Sequence, residues 1–168
     1  MVFQWYDKDL HELFNSQIDS LEIIKGKLLT LEQINQMQRL KVLYLSNLRK
    51  LTDLSAIKDC QSLRKLVINN CGKAQLYKFL ESKTLNYLMI SGSNRISGLN
   101  DLRNLPNLKY ILLDGCIIED GNLECLKNIQ HATLFQNRKH YSLDDSKLPK
   151  GEMPYMLVKI PSWRQFKP

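Results

Sequence analysis

The side chains able to do acid–base, nucleophilic or metal chemistry lie far apart along this chain. His11, His131 and His140 fall in an N-terminal segment, an apolar-alternating run and the stretch after it, so none stands at a fixed spacing from a Ser or Cys nucleophile and an orienting acid. Glu119-Asp120 and Asp144-Asp145 are adjacent carboxylate pairs between periodic segments, where solvation is the expectation rather than an acid/base dyad. Cys60, Cys71, Cys116 and Cys125 show no CxxC spacing and no His at ligand spacing, which argues against a metal centre and a cofactor. Gly92 and Gly115 close apolar runs, and the chain has no GxxxxGK or GxGxxG frame to cradle a phosphate. These residues point away from an enzyme.

What the sequence does contain is a repeat. Leu85-Asn86-Tyr87-Leu88-Met89-Ile90-Ser91-Gly92-Ser93 is echoed at Leu108-Lys109-Tyr110-Ile111-Leu112-Leu113-Asp114-Gly115-Cys116. In both, the first, fourth and sixth positions are apolar and the ninth is small. The fourth and sixth then lie on one side of a short strand, because strand side chains alternate with period two. The same frame recurs at Ile18/Leu21/Ile23/Gly26, Leu40/Leu43/Leu45/Leu48, Leu63/Leu66/Ile68/Cys71 and Ile129/Ala132/Leu134/Asn137, with starts 22, 23, 22, 23 and 21 residues apart. Between the runs, apolar residues come every third position, as at Leu51, Leu54 and Ile57 and at Ile96, Leu99 and Leu102, a period that suits tight 3-10 turns facing inward. Leu76 to Leu80 has a more α-helical pattern.

Six copies in register with a period in the low twenties resemble the leucine-rich repeat family in its short class, over Ile18 to Asn137. The resemblance implies an α/β solenoid of six coils, with a parallel sheet on the concave face and short helical or 3-10 segments on the convex face. It also implies a scaffold that holds other proteins. The ninth position departs from the family's usual Asn, which appears only as Asn137, so a regular Asn ladder is not expected. Residues 1–17 read as an N-terminal cap, with Asp7 placed to cap a short helix ahead of Leu10, Leu13 and Phe14. Residues 138–168 read as a C-terminal cap and tail containing the strand-like run Tyr155 to Ile160, and the whole forms one domain. The rival reading of the basic, proline-punctuated end, with Trp163, Arg164 and Phe166, is a binding arm.

At 168 residues and 43% apolar, the composition is that of a globular chain, with no apolar run of 18 residues and no basic-then-apolar leader, so a cytoplasmic protein without a membrane partner is expected. Cys71 and Cys116 share a repeat position two coils apart, about 10 Å at strand spacing, which is beyond disulfide reach. All four thiols are therefore expected to be unpaired. The net charge of +7 divides as −2 over residues 1–17, +5 over 18–137 and +4 over 138–168, favouring an acidic partner surface if it serves more than solubility.

The strand positions that do not point into the core carry the functional expectation. The third column reads Ser20, Val42, Lys65, Tyr87, Tyr110, His131; the fifth reads Glu22, Tyr44, Val67, Met89, Leu112, Thr133; the seventh reads Ile24, Ser46, Asn69, Ser91, Asp114, Phe135. Apolar and aromatic side chains gathered on a solvent-facing sheet mark an interaction surface. Tyr44, Lys65, Val67, Tyr87, Met89, Tyr110, Leu112, Asp114, His131 and Phe135 are accordingly the expected partner-binding residues. Two competing readings are that the C-terminal tail folds over them, or that they reflect strand propensity alone.

The expected function is that of a non-catalytic module binding another protein, monomeric when free. Small stand-alone repeat proteins of bacterial type suggest immunity by sequestering a toxin domain, with adaptor, substrate-recognition and host-directed effector roles as alternatives. Nucleic-acid binding through Lys41, Arg64, Lys109 and the basic tail is disfavoured, because Glu22 and Asp114 share the face.

Overall fold

A computed structural model describes residues 2–5, 10, 17–71, 81–92 and 95–154. Its centre is a seven-stranded parallel sheet, ordered along the chain apart from one interruption. The strands are β1 (Val2–Trp5), β2 (Ser20–Gly26), β3 (Val42–Ser46), β4 (Lys65–Asn69), β5 (Tyr87–Ser91), β7 (Tyr110–Asp114) and β9 (His131–Leu134). The interruption is a second, two-stranded parallel sheet of β6 (Arg95–Ile96) and β8 (Ile117–Ile118). Return segments are short 3-10 turns, among them Ser55–Asp59, Asn100–Asn104 and Glu124–Asn128. This architecture is compatible with an α/β solenoid.

The register follows the repeat frame. Ser20 faces Val42, Val42 faces Lys65, Lys65 faces Tyr87, Tyr87 faces Tyr110 and Tyr110 faces His131. The fourth and sixth positions of every copy, from Leu21 and Ile23 to Ala132 and Leu134, are buried in one core. The every-third pattern of the return segments also holds: Leu51, Leu54, Ile57, Ile96 and Leu99 are buried and Leu102 packs against them. Parallel strands need long crossovers, and here the crossovers themselves supply the second wall of the core.

A column of left-handed residues turns the chain at the exits of β2, β3, β4, β5 and β7. Lys25 (φ 58°), Asn47 (57°), Asn70 (49°), Gly92 (100°) and Gly115 (67°) occupy the eighth position of successive copies. Asn and Gly tolerate this conformation. At Gly92 the requirement is absolute, because a Cβ there would collide with the Asn70 side chain. The turn sends the ninth residue inward, so Leu48, Cys71 and Cys116 are buried.

One further feature departs from the sequence reading. The N-terminal segment begins with a strand: β1 pairs in parallel with β2, placing Phe3 opposite Ile23. The helix expected behind Asp7, the helical run Leu76 to Leu80 and the strand-like run Tyr155 to Ile160 lie outside the described residues. At the other end, Leu143 and Leu148 join the core, and Tyr141 Oη accepts from Ile118 N (3.1 Å) while donating to Cys116 O (3.3 Å). The four cysteines are unpaired, and burial pushes the Cys60 and Cys71 thiols up to about 11 and the Cys116 thiol to about 12. No helix among the described residues is long and apolar enough to cross a membrane.

Candidate functional site

The parallel register brings the odd-numbered columns together on the side of the sheet away from the core. Val67 lies between Tyr44 and Met89, and Tyr87 between Lys65 and Tyr110. Val67, Tyr87, Met89 and Tyr110 form a second apolar cluster, with Tyr44, Leu112 and Met153 packed against it.

This cluster is not open to water. Tyr87 is 3% exposed, Met89 5% and Tyr110 6%, and Lys65 and Val67 are buried with them. Tyr44, Leu112, Asp114 and His131 are half-buried, leaving Phe135, at the end of β9, as the exposed member of the expected binding set. The sequence placed these side chains on one face correctly and their exposure wrongly. Alternation fixes which side of a sheet a residue faces, but it carries no information about a segment arriving on that side from elsewhere.

One such segment is visible. After Leu148, the chain runs antiparallel beside β9 through a bridge between His131 and Lys150. Ala132 N donates to Pro149 O (2.9 Å) and Gly151 N to Gln130 O (3.0 Å), while His131 Nδ1 lies 2.7 Å from Gly151 O. Lys150 Nζ reaches Ala132 O (2.8 Å) and Asp145 Oδ1 (2.7 Å). Met153 then arrives on the aromatic cluster.

The middle of the seventh column, from Ser46 through Asn69 to Ser91, is polar and hydrogen-bonded. Asn69 Nδ2 donates to Ser46 Oγ (3.0 Å), and Ser91 Oγ donates to Asn69 Oδ1 (2.9 Å). Asn47 Nδ2 also donates to Ser46 Oγ (3.2 Å). All three column residues are buried, so these bonds meet the polar demand that burial imposes. The polar ladder thus runs through the seventh repeat position, two residues before the ninth. The signal was present in the sequence as three donor–acceptor side chains at one repeat position.

Electrostatics centre on Lys65. Its ammonium lies 4.6 Å from the centroid of the Tyr87 ring and 5.3 Å from that of Tyr44, both within cation–π range. Burial nevertheless outweighs the rings and lowers its pKa from 10.5 to about 8. The Tyr44 phenol is raised, first by burial and then by the neighbouring Glu22 charge. Because the folded chain gives up the Lys65 proton more easily than the unfolded chain, the Lys65 contribution to stability rises as pH climbs from about 8 towards 10.5. The cysteine thiols act oppositely, since their folded pKa values are raised above 9.0. The Lys65 part is isolated by comparing denaturation of the native chain with that of Lys65→Met. The native chain should gain on the variant by up to about 3 kcal/mol between pH 7.5 and 10.5. A constant difference across that range would show that the amine is solvated.

Elsewhere, a cavity of about 490 Å³ is lined mainly by polar side chains, including Lys58, Glu81, Lys83 and Asn104, and the Ser82 hydroxyl in its lining is taken up by Thr84 and the Leu85 amide. Among the described residues, no three His, Cys, Asp or Glu side chains gather as metal ligands.

No family model matches this chain. Over 83 residues it is 37% identical to a protein of Trypanosoma equiperdum described as a "Putative adenylate cyclase regulatory protein". The match covers 46% of this chain and 13% of that much longer relative. No solved structure matches.

Proposed function

We propose that this chain is a non-catalytic, leucine-rich-repeat-type module that binds another protein through the concave side of its sheet. The observation carrying this reading is the second apolar cluster. The sheet already packs on one core, yet its other side gathers three tyrosines, a methionine, a valine and a leucine, and Tyr and Met are residue types concentrated at protein interfaces. The buried ladder Ser46–Asn69–Ser91 beside it offers a fixed polar border. The regulatory relative favours a role in which binding modulates the partner, as an adaptor or regulator; sequestration of a toxin domain is a special case of the same action.

The test uses the half-buried rim of the cluster, where a charge can be added without emptying the centre. Immobilised chain recovers a partner, mass spectrometry identifies it, and titration of the purified partner gives a Kd. Leu112→Glu should weaken binding more than tenfold, with thermal unfolding confirming that the variant is folded. Equal affinity for both chains would rule out the concave side as the recognition surface.

A further inference from the structure

We infer that the strap of residues 149–154, which brings Met153 onto the aromatic cluster, is a built-in occupant of the concave face that a partner must displace. The inference rests on the proposed role of that face and adds its regulation. Leu148 is anchored in the main core on one side of the sheet, and Met153 packs on the aromatic cluster on the other. Within five residues, the chain crosses the open edge of β9, the last strand of the sheet. The crossing point is Gly151, where a Cβ would stand 2.6 Å from Gln130 O, closer than any side chain can approach without moving the strap.

The attachment is of a releasable kind. The central strands are joined by continuous five-residue parallel ladders, whereas the strap is held at one antiparallel bridge by two backbone hydrogen bonds, Ala132 N to Pro149 O and Gly151 N to Gln130 O. Side chains add His131 Nδ1 against Gly151 O, Lys150 Nζ on Ala132 O and the Lys150–Asp145 pair, whose side chains are 40% and 31% exposed, and solvent-screened pairs contribute little. The cluster beneath shares no buried residue with the main core, so uncovering it leaves that core closed. Segments with few buried contacts open at lower free energy than the whole fold, and regulatory elements are drawn from them.

The experiment reads opening directly, without a partner. In the full native chain, hydrogen exchange at the Gly151 and Ala132 amides, both bonded across the strap junction, should proceed through an opening at least 100-fold more frequent than global unfolding. The Leu88 and Leu113 amides should exchange only through global unfolding. Gly151→Ala alters the crossing without touching either apolar cluster. It should retain the native circular dichroism while raising the fluorescence of an added apolar-surface dye severalfold. Exchange of the junction amides at the global rate in the native chain would overturn the inference even if the variant failed to fold. So would a folded Gly151→Ala chain that self-associates through β9 with no gain in dye binding, since the strap would then serve only to protect the edge. Loss of the Leu112→Glu effect with strap opening intact would instead count against the recognition face alone.

Discussion

Leu113→Ala should lower the folding free energy by about 2–5 kcal/mol, towards the upper end of that range. Leu113 has no exposed surface and sits in β7 with Ile90 and Leu134 as its register neighbours, both in the same core. The cost of a large-to-small change depends on how far the surroundings can collapse into the space left behind. Here collapse is opposed on both sides: β5 and β9 are tied to β7 by backbone ladders, and the inward turn at Gly115 fixes the chain just beyond. Denaturant titration should show the midpoint falling with little change in slope, since the surface exposed on unfolding is nearly the same. A loss below about 1 kcal/mol would mean that the site is not enclosed and that the repeat frame is displaced by one residue.

Tyr87→Ala is the second large effect, and it separates what the sequence expects from what the structure contains. An outward tyrosine on an open sheet leaves no cavity when truncated, and such surface changes stay within about 0.5 kcal/mol. Tyr87 is instead packed among Val67, Met89 and Tyr110, with the Lys65 ammonium over its ring. Removing the ring opens a space in a closed cluster and takes away one of the two aromatic faces near the buried charge, so a loss of about 3 kcal/mol or more is expected. Lys109→Ala, one residue before Tyr110 and exposed, is the control and should be near neutral. If both variants behave alike in thermal and denaturant unfolding, the side of the sheet away from the main core is solvated and the strap does not occupy it.

The strap also bears on solubility. The outer edge of β9 would otherwise present free backbone groups to other chains, and the segment from Pro149 to Gly151 pairs with it. A covered aromatic face and a covered edge are two outcomes of one chain path. The Gly151→Ala experiment distinguishes them because each leaves a different trace, dye binding in one case and self-association in the other.

The sequence by itself determined the strand positions, their mutual register and the inward residues. These follow from local rules: alternation assigns faces, a repeat length of 21 to 23 residues stacks equivalent positions, and apolar residues every third position select tight returns. That is why Leu21, Leu88, Ile111 and Leu134 lie where the frame puts them. The left-handed turns were half legible, since Asn47, Asn70, Gly92 and Gly115 suit that conformation but Lys25 does not. Only the tertiary structure decided that β1 extends the sheet and that the candidate face is buried. Each of these depends on contacts between residues distant in sequence, and no periodicity encodes such contacts. Met153 reaches the aromatic cluster because the chain turns over the β9 edge at Gly151, and nothing in the local pattern of residues 149–153 specifies on which side of the sheet it ends.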